Sequence, residues 1–191
     1  MKLGFLGGMF DPLHYGHLRA AENAREALGL DRVAFVPAAV PPHRAAPTAS
    51  ALDRYAMVCL ATASDPGFVP WDGEIRRGGR SYTVDTAEAL LGENPGAALT
   101  LIVGSDNLAL LPQWKEPERL LALCSVAVVT RPGEATEPAA GLDPARFVHV
   151  EGSHLPIASS ALRERVREGR SVRYLVPDAV CGYIEKRGLY R

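Results

Sequence analysis

Five short runs of this chain are apolar along most or all of their length, and stretches of helical period separate them. The runs lie at 3–6, 33–36, 99–103 and 126–130, with a weaker one at 147–150. A strand with one wet face alternates apolar and polar residues, so a run that is apolar throughout belongs in a sheet covered on both faces. The intervening helical pattern is clearest at 18–28, where Gly29 supplies a stop signal. It recurs at 52–63, 84–91 and 116–123, and twice more at 160–168 and 178–186. This alternation predicts an α/β fold, a doubly wound parallel sheet with helices on both faces and right-handed crossovers. A ligand is then expected at the carboxyl ends of the strands, near the point where the strand order reverses. The 191 residues suit one domain over 1–191, with a helical portion from about 158.

Composition narrows the partners. There are 21 basic and 22 acidic residues, a net charge of −1. No global field recruits a polyanion, so nucleic acid and anionic membranes are not expected as partners. No apolar run has the length of about 18 residues that a membrane helix needs, and residues 1–5 do not read as a secretion signal. A cytoplasmic location is expected. Cys59, Cys124 and Cys181 show no CxxC spacing and read as three buried free thiols in a reducing compartment.

The first strand ends at Gly7-Gly8, and Met9-Phe10-Asp11-Pro12-Leu13-His14-Tyr15-Gly16-His17 leads into the first helix. The glycines let backbone come close to a ligand, and Asp11-Pro12 signals a turn. The opening of the helix near Tyr15 presents free N–H groups at the mouth of the sheet, a site for an anion. His14 and His17, three residues apart, can lie on one side of that opening. Two imidazoles there can donate to phosphate oxygens and stabilise the charge that develops during phosphoryl-type transfer. Taken alone, the pair also reads as polar residues at a helix start or as two ligands of a metal, although no third ligand with convincing spacing lies nearby. Neither GxGxxG nor GxxxxGK[ST] is present.

Residues 8–17 resemble the GxFDPxHxGH signature of the nucleotidylyltransferase superfamily, and five further segments resemble the bacterial nicotinate-nucleotide adenylyltransferase family within it. The segment 36–44, with Pro41-Pro42-His43-Arg44, is similar to that family's PxxxPPHK loop. Residues 81–86 look like SYTxDT, and Gly104-Ser105-Asp106 followed by Trp114 looks like GxD…W. Residues 157–163 are similar to ISSTxxR, and 171–177 to SxRYLVP. Ala158 and Ser160 depart from the first Ser and the Thr of ISST, and Arg44 from the Lys after PPH. The resemblance spans essentially the whole chain and agrees with a Rossmann-like sheet.

The resemblance implies transfer of AMP from ATP to nicotinate mononucleotide, with Mg²⁺ bound to the ATP. It implies catalytic roles for His14, His17 and Arg163, and ATP-phosphate contacts from Gly7, Gly8, Phe10, Ser159 and Ser160. Thr83, Asp85, Asp106, Trp114, His43 and Arg44 would meet the mononucleotide, and no dedicated protein metal site is implied. Read without the family, Ser159 is a helix N-cap with a cation one turn on, Thr83 a helix cap, Trp114 and Trp71 packing residues, and 37–48 a Pro-rich candidate active-site loop. His149 and His154 have no assigned role, and a homo-oligomer is left open. Two rival functions remain. One is another adenylyltransferase of the superfamily, acting on nicotinamide mononucleotide or phosphopantetheine. The other is a non-catalytic nucleotide-binding module.

Overall fold

The computed structural model describes residues 1–40, 46–130, 142–153 and 155–191. Six strands form one parallel sheet: β1 (Lys2–Gly8), β2 (Arg32–Pro37), β3 (Phe68–Pro70), β4 (Ala98–Gly104), β5 (Ser125–Thr130) and β6 (Phe147–Glu151). Their spatial order is β3-β2-β1-β4-β5-β6. The chain winds outward from β1 to β3, returns to the other side of β1, and winds outward again to β6. The order therefore reverses between β1 and β4, the doubly wound arrangement that opens a crevice at the strand ends.

Eight α-helices are described: α1 (Tyr15–Leu28), α2 (Ala51–Thr62), α3 (Gly73–Arg77), α4 (Thr83–Glu93), α5 (Ser105–Leu108), α6 (Pro117–Leu123), α7 (Ser159–Arg167) and α8 (Asp178–Arg187). Side-chain alternation along the strands creates two cores. Leu6 and Ile102 face α1, α2, α7 and α8, where they join Ala21, Met57, Leu162 and Ile184. Leu3, Phe5, Leu101 and Val103 face α4 and α6, where they join Val84, Leu90 and Leu120. Both faces are covered, which explains why these strands tolerate no polar alternation. Gly29 ends α1 with φ of 60°, a left-handed stop that suits glycine.

All five apolar runs are strands, and every helical stretch read from periodicity is a helix. β3, α3 and α5 were not anticipated. β3 has three residues and ends in Pro70, and α3 and α5 have five and four, too few to show a period. The expectation of three buried thiols needs correcting. Cys124 and Cys181 are buried, but Cys59 is half-buried on α2. Trp71 is packed as expected, with its indole N–H donating to Glu93 at 2.7 Å. No helix among the described residues is long and apolar enough to cross a membrane.

Candidate active site

A cleft of about 970 Å³ opens where β1 and β4 end, at the reversal of strand order. It is large enough for a dinucleotide-sized ligand. Gly7, Gly8, Phe10, His14 and His17 line one part, with Ser159, Ser160 and Arg163 beside them. Thr83, Asp106 and Trp114 line another part. Asp85 stands outside that lining, and its carboxylate accepts from Lys115 at 2.8 Å. Lys115 does face the cleft, and its ammonium lies 5.0 Å from the centre of the Tyr82 ring. His43, Arg44 and His154 lie outside the described residues, as do 41–45 of the Pro-rich loop.

His14 is the N-cap of α1, and the rings of His14 and His17 stack with centroids 3.7 Å apart. The His14 backbone N–H points to His17 Nδ1 at 3.3 Å. An Nδ1 that accepts leaves the ring proton on Nε2, so His17 offers an N–H donor while neutral. The edge of Phe10 packs against His17 at 5.1 Å and fixes its other side. Phe10 holds φ of 48°, a strained conformation for a bulky residue, and its ring is fully buried. Gly16 has a steric reason. A Cβ there would come within 2.9 Å of the His14 ring, so only glycine lets the imidazole lie against the helix start.

Burial pushes the His14 imidazole down to about 4. Burial, and then the charge of His14, also hold His17 well below its ordinary value. Both rings are therefore neutral donors near pH 7. The unfolded chain takes up the His14 proton near 6.5 and the folded chain only near 4, so falling pH in that window favours unfolding. Stability from this group is complete above about 6.5 and declines toward about 4, by on the order of 3 kcal/mol. His14→Asn keeps a good helix cap and removes the titration. Denaturation midpoints at pH 7 and pH 4.5 should lie closer together in that variant than in the wild type.

The loop at residues 9–12 is held from several directions. The buried Asp11 carboxylate accepts from the backbone N–H groups of Thr48 (2.7 Å) and Ala49 (3.1 Å) and from the Tyr190 hydroxyl (2.8 Å). Arg163 Nη1 donates to the Asp11 carbonyl at 2.8 Å, and Ser159 Oγ donates to the Pro12 carbonyl at 3.0 Å. Ser159 is thus not the helix cap that its sequence position suggests. Ala158 is the cap, and Ser159 is the first residue of α7. Tyr82 likewise caps α4, and Thr83 is its first residue. The N-termini of α1 and α7 both open onto this end of the cleft, and each carries the partial positive charge that favours phosphate.

Sequence reasoning missed the role of Asp11 beyond a turn, and missed Arg54, Glu74 and Tyr190 altogether. Arg54 is almost fully buried. It donates to the carbonyls of Met9 (2.8 Å) and Ala38 (2.6 Å), tying the loop after β1 to the loop after β2. A signal existed for Arg54, because 54, 57, 58 and 61 follow helical spacing and the other three are apolar.

The model of the cytidylyltransferase-like family matches residues 5–165. A protein of Thermus thermophilus, named "Probable nicotinate-nucleotide adenylyltransferase", is 47% identical over 191 residues, and the match covers all of both chains. One of the same name from Roseiflexus sp. strain RS-1 is 46% identical over 99% of this chain and 98% of its own. Among solved structures, the Plasmodium falciparum nicotinic acid mononucleotide adenylyltransferase complexed with NaAD superposes with a TM-score of 0.77 at 16% identity. That match covers 99% of this chain and 97% of the other, and it supports the fold. With a stacked histidine pair at the switch point of a doubly wound sheet, and full-length relatives at this identity, the chain belongs to the cytidylyltransferase-like family and, within it, to the nicotinate-nucleotide adenylyltransferases.

Proposed function

We propose that this protein transfers AMP from MgATP to the 5′-phosphate of nicotinate mononucleotide, giving nicotinate adenine dinucleotide and pyrophosphate for NAD biosynthesis. The observation that carries the reading is the cleft itself. Its lining brings His14, His17 and the starts of α1 and α7, read as the triphosphate site, together with Thr83, Asp106 and Trp114, read as the pyridine-nucleotide site. The identity of 46–47% to full-length relatives named for this reaction supports the choice of acceptor. The free cysteines suit a reducing cytoplasm.

An oxygen of the mononucleotide phosphate attacks the α-phosphorus in line. The bond from that phosphorus to the oxygen bridging to the β-phosphorus breaks, and pyrophosphate leaves with the electron pair. The nucleophile is already an anion, so the step needs no covalent enzyme intermediate. Catalysis is then positioning and charge stabilisation. His14 and His17 donate to the phosphate oxygens where charge develops. Ser159, Ser160 and Arg163 hold the β- and γ-phosphates, and Gly7, Gly8 and Phe10 shape the wall beside them. No group of three metal-ligating side chains occurs among the described residues, and the magnesium enters with the triphosphate as part of the substrate.

In the acceptor half, the N–H groups at the start of α4 and the Thr83 hydroxyl receive the nicotinate carboxylate. Trp114 stacks on the pyridine ring, and Asp106 accepts from a ribose hydroxyl. His43 and Arg44 join this half on motif resemblance alone. Pyrophosphate release with ATP, Mg²⁺ and each of three acceptors tests the reading. Release with nicotinate mononucleotide, and little with nicotinamide mononucleotide or phosphopantetheine, is the expected pattern. Release with none would leave a binding module.

A further inference from the structure

Glu74 is a carboxylate in the short helix α3, is only 6% exposed, and lies against the cleft. The direct-transfer mechanism assigns it nothing. Thr86, in the first turn of α4, donates its hydroxyl to Glu74 Oε1 at 2.5 Å. The Ser81 hydroxyl and the Ala39 N–H lie close enough to draw this carboxyl down against its burial. Ser81 in turn accepts from the Ala39 N–H at 2.9 Å, and its own N–H donates to the Val40 carbonyl at 2.9 Å. Burial pushes the Glu74 carboxyl up overall, and the hydroxyls of Ser81 and Thr86 draw it part of the way back.

Ser81 and Thr86 bracket Thr83 and the first N–H groups of α4, and Glu74 accepts from the Thr86 hydroxyl at one end of that bracket and lies near the Ser81 hydroxyl at the other. The same carboxylate joins them to the stretch leaving β2. We infer that Glu74 is a positioning residue for the acceptor half of the cleft. It fixes residues 81–86 so that Thr83 and the N–H groups at the start of α4 meet the acceptor in one geometry. It touches no reacting atom in this account, and it acts through Ser81 and Thr86. The consequence for specificity rests on the functional reading above, because the group those N–H donors meet is the nicotinate carboxylate. The donor half draws its direct support from Asp11, Arg163, Ser159 and Arg54, none of which is hydrogen-bonded to Glu74, so the effect of Glu74 falls mainly on the acceptor half.

Glu74→Gln keeps the shape and replaces an accepting oxygen by a donating amide. The expected result is a rise in KM for nicotinate mononucleotide on the order of tenfold, with KM for ATP within about twofold of the wild type. Thr86→Val removes one donor and keeps the shape, and gives the same split in smaller measure even where a Glu74 variant fails to fold. Amide exchange provides the second readout, with residues 81–86 of the full-length variants exchanging faster than in the wild type. Exchange at 81–86 tests Glu74 whatever the acceptor, while wild-type turnover tests the acceptor by itself. Unchanged exchange at 81–86, or KM values for both substrates that move together, would overturn the inference.

Discussion

Replacing His17 by Ala lowers kcat by about a hundred- to a thousand-fold while the protein stays folded, the range seen when one aimed hydrogen-bond donor is removed from a developing oxyanion. The ring is fixed by stacking on His14, by the edge of Phe10 and by the His14 N–H at its Nδ1. Its Nε2–H is therefore set before the substrate arrives and needs no reorganisation during the reaction. The hydrophobic core does not depend on it, since Phe10 still packs on Phe35 and α1 keeps its buried Ala21 and Ala24. His17→Gln places an amide N–H near the position of Nε2 and retains more activity than His17→Ala. Steady-state kinetics with a thermal melt for each variant checks this. Near wild-type kcat in His17→Ala, with the fold intact, would remove the histidine from the chemistry.

The second large effect concerns stability. Arg54→Met lowers the free energy of unfolding by about 3 kcal/mol, because two or more hydrogen bonds from a charged donor are lost and the partly buried carbonyls lose their partner. Arg54 reaches Met9 and Ala38 with two different nitrogens, and Ala39 at 3.4 Å with the second of them. Burial already draws the guanidinium below its ordinary value, a cost that those carbonyls and the nearby Asp11 and Glu74 carboxylates offset. Arg54→Lys recovers only part of the loss, because a single ammonium cannot reproduce the fork. Denaturant unfolding measures both variants. A midpoint for Arg54→Met equal to that of the wild type would contradict this account of the loops.

The parts legible in the sequence are those whose cause is local. β1, β2, β4 and β5 are apolar along nearly their whole length because both faces are covered, and that demand shows in any window of five residues. β3 is an edge strand of three residues, and among the described residues its only strand partner is β2. Nothing in 68–70 carries that pairing. The placing of Gly7, Gly8, His14 and His17 on the wall of the cleft was readable for the same reason, since they are one continuous strand–loop–helix segment. Its supports were not. The hydroxyl that steadies Asp11 comes from Tyr190, 179 positions away, and the guanidinium that holds Met9 comes 45 positions later. Glu74 sits in a five-residue helix with no period, and its hydrogen-bond partner Thr86 belongs to α4, 12 positions on. Ser159 misled as a cap because a hydroxyl at a helix start has two uses, and here it is spent on the Pro12 carbonyl.

ATP labelled on its α-phosphate, incubated with the protein, Mg²⁺ and nicotinate mononucleotide, tests direct nucleotidyl transfer most directly. The account predicts that the label moves into nicotinate adenine dinucleotide, with one unlabelled pyrophosphate released for each dinucleotide formed. Label found in free AMP or left on the protein after the acceptor is consumed, or no transfer at all, would contradict it.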